Sequence, residues 1–252
     1  MRKIIFSLFF ILVLNLQTRA QKSIRDSSFA FPMIGAVIGY QFPGGDLNHR
    51  FGNNFNVGGV FQWKLKSNWM FGVEAQFLFG DDVKETNVID NLRTPPDGNI
   101  IDANGKYADL TMEERGLELL VKGGRIFSFK KPNPNSGILT TVGVGYLQHR
   151  IRIDTPGSPT PYLEDDYNKG YDRLCSGLAL TEFLGYMYFS NNRLINFYAG
   201  FEFTQAFTKN KREVNFDTGL SQHESRTDLL TCIRLGWVIP IYKRSSEKVY
   251  YN

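Results

Sequence analysis

The chain has 252 residues, of which 42% are hydrophobic and 14% aromatic, with 29 Lys and Arg against 25 Asp and Glu. This length suits one all-β domain. Most of the formal net charge of +4 lies in residues 1–20, because without Arg2, Lys3 and Arg19 the chain has 26 basic and 25 acidic residues. A balance this close to neutral removes the support for a nucleic-acid-binding function.

Residues 1–20 have the three-part pattern of a secretory signal peptide. A charged start precedes an apolar stretch over 4–16, and Thr18 and Ala20 stand at positions −3 and −1 of a cleavage site. The apolar stretch is too short for a helix that spans about 30 Å of hydrocarbon. We therefore expect an exported chain that begins with a short periplasmic segment over 21–30.

Eight segments with alternating apolar and polar residues follow the leader. In the third, for example, Phe71 and Val73 share a face and Glu74 lies on the other. This period of two predicts β-strands. The predicted strands are 31–42, 54–66, 68–80, 115–129, 137–153, 171–189, 193–208 and 225–242. The alternation of the fifth strand slips near Leu147, which predicts a β-bulge.

The connections between the strands alternate in length. Short turns lie at 66–68, 130–136 and 190–193, and long connections lie at 43–53, 81–114, 154–170 and 209–224. We call the two sides the short-turn end and the long-loop end. Periplasmic turns and long external loops are typical of outer-membrane barrels.

This arrangement predicts an all-β fold, an eight-stranded antiparallel up-and-down transmembrane β-barrel over 31–242. The barrel is expected in the cell outer membrane, with both termini periplasmic and a periplasmic tail over 243–252. A water-soluble barrel that binds lipid inside has the same alternation and remains an alternative.

Aromatic residues cluster near both ends of the predicted strands. Amphipathic aromatic rings favour the two membrane–water interfaces, so we expect two outward-facing girdles. The predicted girdle at the short-turn end comprises Trp63, Trp69, Phe189, Phe197, Trp237 and Tyr242.

Three stretches resemble known barrels: 39–47 with 50–52, 64–69, and 235–242, which reads LGWVIPIY. They are similar to small Gram-negative outer-membrane β-barrel proteins of the OmpA/OmpX-like and PorT-like families. The resemblance implies a structural barrel, an adhesion or protection factor, or an accessory subunit of a secretion or outer-membrane complex. Many such barrels end on an aromatic residue, whereas here the tail at 243–252 follows the last strand, so targeting by a final aromatic residue is not carried over.

A set of charged side chains is predicted to face the barrel interior. An eight-stranded barrel is only wide enough for side chains to fill it, and buried charges must pair. We expect Glu202 to pair with Arg234, and Glu74 with Lys122, as a polar plug; an ion gate is the alternative. The predicted lumen network comprises Lys64, Glu74, Glu118, Lys122, Glu182, Glu202 and Arg234.

The connection 81–114 is unusually long and carries nine acidic residues against three basic ones. Long loops on a rigid scaffold often carry function. We expect this loop to be either a solvated charged loop or a contact surface for another protein or for divalent ions that bridge lipopolysaccharide. The predicted contact residues are Asp90, Arg93, Asp97, Asp102 and Asp109.

No catalytic, metal-binding or cofactor-binding pattern is specific enough to predict a site. His49, His149 and His223 lie towards the long-loop end, and His223 is close to Ser221. Histidine can act as a general base, but these spacings do not define a catalytic set, and no two histidines have a metal-ligand spacing. The sequence therefore predicts no enzyme and no cofactor.

The two cysteines are predicted to be wall residues rather than a disulfide. Cys175 and Cys232 fall on the sixth and eighth strands, with the seventh between them. Two strand spacings amount to roughly 9.6 Å, whereas a disulfide needs Cα atoms within about 7 Å.

Together these features predict a structural or accessory outer-membrane protein, acting as a subunit of a larger outer-membrane or secretion assembly. Its expected partners are outer-membrane lipid and other outer-membrane proteins. The alternative function is a small pore or transport barrel, or an enzyme that modifies lipid.

Overall fold

The computed structural model describes residues 27–95, 98–129, 132–191, 195–220 and 224–242. Consecutive strands pair antiparallel, and the last pairs with the first, so the sheet closes into a barrel. The predicted eight-stranded fold is confirmed; the signal peptide, most of the segment 21–30 and the tail lie outside the described residues. The strands are β1 (Phe31–Gly45), β2 (Asn54–Lys64), β3 (Trp69–Gly80), β4 (Thr111–Phe127), β5 (Gly137–Asp154), β6 (Cys175–Phe189), β7 (Asn196–Asn210) and β8 (Ser225–Pro240).

Short helices occupy two of the long connections. Helix α1 (Leu47–Arg50) follows β1, and helix α2 (Asp165–Asn168) lies between β5 and β6. Two 3-10 helices cover Thr86–Leu92 and Pro161–Leu163. Among the described residues, no helix has the length and apolar character needed to cross a bilayer.

The predicted bulge near Leu147 is wrong. Strand β5 pairs residue for residue along both neighbours, with Leu147 opposite Glu118 of β4 and Gly177 of β6. The alternation is also intact, because Leu147 is fully buried between half-buried or exposed neighbours. Leu147, Ile151 and Ile153 are apolar although they point inward, because they face an apolar cluster inside the barrel.

The outward surface of the barrel is apolar over most of its circumference. Outward side chains such as Phe61 and Val73 are 44% and 50% exposed. Exposed aliphatic and aromatic residues on every strand give a closed belt of the kind that contacts lipid in transmembrane barrels. The alternative of a soluble barrel, with its apolar side chains inside, does not match this belt.

Four of the six predicted girdle residues face outward: Trp63, Trp69, Phe197 and Trp237. The prediction is wrong for Phe189, which is fully buried and packs edge-on against Phe31, with ring centroids 5.4 Å apart. It is also wrong for Tyr242, which is partly buried and lies 5.0 Å from the same ring. Both rings fill the short-turn end of the lumen instead of facing lipid.

The barrel interior has an apolar cluster at each end and a charged layer between them. The cluster at the short-turn end includes Phe31, Met33, Met70, Met187, Phe189 and Val238. The cluster at the long-loop end joins wall residues to loop residues, and includes Leu47, Phe51, Leu78, Val88, Ile89, Leu147 and Ile151. The interior is therefore filled along its length, and each apolar cluster excludes water from the charges between them.

Both cysteines are free thiols buried in the barrel wall, as their strand positions predict. Cys232 faces the interior beside Gly39, where an added Cβ would lie 2.4 Å from the Cys232 sulfur and 2.3 Å from the Asn56 amide oxygen. Only glycine leaves room for the two side chains at this point of the wall.

Candidate functional site

Four of the predicted lumen residues form a closed ring of ion pairs. Lys122 on β4 contacts Glu74 at 2.7 Å and also pairs with Glu202. Arg234 on β8 contacts Glu74 at 2.8 Å and Glu202 at 2.6 Å. Each cation thus bridges both carboxylates, and the structure forms both pairs that the sequence predicts.

The ring crosses the lumen from one wall to the other. Lys122 and Glu202 lie on β4 and β7, which are not neighbours in the barrel. Amides extend the ring, because Arg234 donates to the Gln76 oxygen at 2.6 Å, and Gln76 in turn donates to Glu74 at 3.1 Å. All these side chains are buried, so the layer is a cross-brace and leaves little room for an aqueous path.

Glu118 adds a third carboxylate to this layer. It is fully buried and accepts a hydrogen bond from the Thr204 hydroxyl at 3.4 Å. Its second oxygen has no hydrogen-bond partner among the described residues. Together with the ring, the layer contains three carboxyl groups and two cationic side chains, so every cation in it is needed to balance the carboxylates.

Lys64 lies apart from the ring, at the short-turn end. Its ammonium group donates to the Ser28 hydroxyl at 3.0 Å, the Phe29 carbonyl at 3.1 Å and the Asn135 amide oxygen at 2.9 Å. These are dipolar acceptors rather than carboxylates. Lys64 thereby fastens the chain before β1 and the turn before β5 across the end of the barrel.

Glu182 is predicted to face the lumen, and this is wrong. It is exposed on the outer surface of β6, between the inward residues Thr181 and Phe183. The residues around Glu182 are apolar or weakly polar on both faces of β6, so the alternation of the sequence does not show which face is inward. The charge of Glu182 alone favoured the lumen.

A second network of ion pairs joins the long connections. Arg173 precedes β6 and donates to Glu85 at 3.0 Å and, through both terminal nitrogens, to Asp217 at 3.0 and 2.5 Å. Arg50, which ends helix α1, contacts the other Glu85 oxygen at 2.6 Å and the Arg173 carbonyl at 3.0 Å. These four residues lie in the four connections at the long-loop end, because β6 begins at Cys175 rather than at 171 and leaves Arg173 in the connection after β5.

A further pair strengthens the same network. Arg212 donates two hydrogen bonds to Asp172, at 2.9 and 2.5 Å, and so joins the connection after β7 to the connection before β6.

Arg173 has a positive φ of 51°, an uncommon backbone conformation for a residue with a side chain. We call the assembled connections, held by Arg50, Glu85, Arg173 and Asp217, the loop cap.

Most of the predicted contact residues of the loop 81–114 lie on the outside of the cap. Asp90 and Arg93 are exposed and pair with each other at 2.9 Å, and Asp109 is exposed. Asp102 is buried, because its carboxylate accepts from the backbone N–H groups of Asn104 and Lys106 and closes a local turn. Asp97 lies outside the described residues.

The loop 81–114 is folded rather than simply solvated. Strand β4 begins at Thr111, within the predicted loop, and Val88 and Ile89 of the 3-10 helix are fully buried in the apolar cluster beneath the cap. The loop thus covers the end of the lumen. Val88 and Ile89 could have indicated a buried segment, but the many acidic residues of this loop favour a solvated loop instead.

The histidines do not assemble a catalytic site among the described residues. His149 is fully buried on β5 and lies 3.0 Å from Asp228, which also accepts from the Thr208 hydroxyl at 2.5 Å. His49 is exposed, while His223 lies outside the described residues. No cluster of possible metal ligands occurs in the part of the chain that the structure describes.

The pairing of Glu85 predicts an acid-sensitive loop cap. Burial alone would raise the pKa of the Glu85 carboxyl, but the guanidinium groups of Arg50 and Arg173 outweigh burial and hold the pKa below its ordinary value of 4.5. The stabilisation is fully present above that ordinary value and is lost as pH falls through the lowered pKa. Hydrogen exchange over 86–92, corrected for intrinsic rates, should therefore rise at acid pH.

The Glu85→Gln variant is the control for this prediction. It should show fast exchange over 86–92 already at neutral pH and little further change on acidification. Exchange in the centre of β5 should stay slow in both proteins. Equal pH dependence in the wild type and the variant would exclude Glu85 as the titrating group.

Comparisons with known proteins bear on the fold alone. No protein-family model and no curated protein sequence matches the chain significantly. Among solved structures, the chain is similar to Ail, the attachment invasion locus protein of Yersinia pestis, with 8% identity and a TM-score of 0.42 over 84% of this chain and 99% of that one. A structure of Ail with the heparin analogue sucrose octasulfate gives 8% identity and a TM-score of 0.38 over the same shares.

The outer membrane protein OprG from Pseudomonas aeruginosa is also similar, with 11% identity and a TM-score of 0.39 over 86% of this chain and 99% of that one. Both neighbours are small eight-stranded outer-membrane barrels. Identities this low carry no ligand or activity over to this chain, whose closed barrel is established by its own strand pairing.

Proposed function

We propose that this chain is an integral outer-membrane protein that acts as a closed, non-enzymatic scaffold for its loop cap. In this proposal the loop cap is outside the cell, both termini are periplasmic, and the cap is the surface through which the protein joins a larger outer-membrane assembly. The observation that carries the proposal is the ion-pair network of Arg50, Glu85, Arg173 and Asp217, which holds all four long connections together.

The filled interior supports a scaffold rather than a pore. The ring of Glu74, Lys122, Glu202 and Arg234 braces opposite walls, and an apolar cluster lies on each side of it. Ions crossing such a lumen would have to displace buried ion pairs and then pass an apolar layer, both of which are costly.

The outer surface of the loop cap supports a role in protein contact. Apolar side chains on three of its connections are between 38% and 67% exposed although the cap is otherwise charged. Apolar side chains exposed on an otherwise charged surface are candidates for protein contact when they form a patch. The residues concerned are Ile101, Tyr107, Tyr167, Val214, Phe216 and Leu220.

The proposal is tested by purification from native membranes in mild detergent. A stable partner should co-purify with the wild type and be lost from a triple variant, Tyr107→Ser with Tyr167→Ser and Leu220→Ser. The three side chains are at least 61% exposed, so the variant should keep the wild-type unfolding midpoint. Lys66→Ser, at the short-turn end, is the matched surface control.

Two other measurements complete this test. Purified protein should give no conductance steps in planar bilayers and should not hydrolyse labelled lipid A. A tag inserted at Gly105 should be accessible on intact cells, and a tag at Ser67 should not. Steady conductance, lipid hydrolysis, or a partner retained by the triple variant would contradict the proposed function.

A further inference from the structure

Glu182 occupies the centre of the outward face of one strand. It is the middle residue of the 15-residue strand β6, with Leu180 and Leu184 exposed on either side. Its register partners are Val142 on β5 and Phe203 on β7, and both are outward and exposed. In a membrane-spanning barrel this position lies near the middle of the hydrocarbon, far from both interfaces.

The Glu182 carboxylate has no ion-pair or hydrogen-bond partner among the described residues. It borders an open surface groove of about 540 Å³ whose lining includes Val142, Leu184, Phe201 and Phe203. A carboxylate surrounded by lipid is costly, and an ionisable residue within a membrane is a candidate functional position. Among the described residues, the barrel supplies no counter-charge that offsets this cost.

The outward face around Glu182 differs from the opposite wall. In the central part of β1 to β4 the outward residues are apolar, as at Ile38, Val57, Val73 and Val121. On β5 to β8, three more polar residues also face outward: Thr140, Gln205 and Thr231. One side of the barrel is therefore suited to a polar contact within the membrane, and the other side is suited to lipid.

We propose that the wall formed by β5, β6 and β7 docks against a membrane-spanning segment of a partner protein, which places a Lys or Arg side chain against Glu182. Charge complementarity selects this occupant. The central outward positions of the described strands carry no Lys or Arg, so a second copy offers no cation at this depth. Cationic lipid headgroups lie at the bilayer surface and not at its centre.

The inference rests on the membrane location in the proposed function, but not on contact through the loop cap. It is tested by placing a photo-crosslinking amino acid at position 184 or, as the opposite-wall control, at position 73, in cells that make the full chain. Position 184 should crosslink to one protein, and position 73 should not. The crosslinked peptide should come from a membrane-spanning segment that contains a basic residue.

The charge requirement is tested with Glu182 variants. Glu182→Leu removes one member of a desolvated charge pair, so the yield of the crosslink should fall by about tenfold or more. Glu182→Lys should abolish it through like-charge repulsion, and Glu182→Gln should keep part of it through hydrogen bonding. In the purified barrel alone, Glu182→Leu should instead raise the urea midpoint, because it removes an isolated carboxylate from the lipid face.

Several results would overturn the inference. These are a crosslink unchanged in Glu182→Leu, a crosslink to a second copy of the chain, or a target segment without a basic residue. No crosslink at position 184 in membranes that contain folded barrel would also overturn it. Failure of the proposed function is distinguishable, because loss of loop-cap binding or the presence of conductance would leave the crosslink from position 184 intact.

Discussion

Arg234→Met is expected to lower the free energy of unfolding by about 3–5 kcal/mol, the cost of removing one partner from a buried ionic group. Arg234 is 1% exposed and contacts both Glu74 and Glu202. Without it, Lys122 faces three buried carboxyl groups alone. Urea unfolding in lipid vesicles, followed by tryptophan fluorescence, measures the change.

Two variants serve as controls for Arg234→Met. Arg125→Met makes the same substitution at an exposed arginine that lies over the Trp69 ring, and should cost less than about 1 kcal/mol. The double variant Glu202→Gln with Arg234→Met should be more stable than Arg234→Met alone, because it restores the balance of charges. A double variant as unstable as the sum of both single changes would show that the ring does not act as a unit.

Arg173→Met is expected to release the loop cap while the barrel stays folded. The Arg173 side chain is 3% exposed and contacts Glu85 and Asp217, so its removal leaves Glu85 with Arg50 alone and takes from Asp217 the one ion-pair partner it has among the described residues. A buried pair broken in this way costs about 3–5 kcal/mol, which increases the open population of the cap by about a hundredfold or more.

Limited proteolysis measures this opening. Where the cap opens and closes faster than it is cut, the cleavage rate follows the open population. Cleavage within 81–114 should accelerate in Arg173→Met, while the urea midpoint of the barrel changes little. Arg93→Met, which removes an exposed arginine paired with Asp90, should leave the cleavage rate near that of the wild type. Loss of the whole barrel in Arg173→Met would contradict a separate cap.

The fold could be predicted because the faces of most strands differ strongly. In β2, β3 and β7, aromatic and aliphatic residues alternate with Asn, Gln and Glu, so a period of two is visible without a structure. The pairs of Glu74 with Lys122 and of Glu202 with Arg234 followed from strand adjacency. Strand β6 has small or apolar residues on both faces, so its sequence did not indicate which way Glu182 points.

The remainder of the site depends on contacts that no local pattern encodes. The bridge from Lys122 to Glu202 crosses the lumen, so it exists only once the sheet has closed. The loop cap joins Arg50, Glu85, Arg173 and Asp217, which are distant in the chain and lie in segments without periodicity. The preference of aromatic rings for interfaces predicts Phe189 and Tyr242 in the girdle, but an apolar lumen end accommodates the same rings.

The position of Arg234 on the last strand ties the charged layer to the closure of the barrel. Strands β3, β4 and β7 supply Glu74, Lys122, Glu118 and Glu202 to this layer, and β8 supplies Arg234. Strand β8 is also the one that pairs with β1 and closes the sheet. A chain truncated before β8 would therefore lack the closing strand and one of the two cations of the layer together, which would leave three interior carboxyl groups against Lys122 alone.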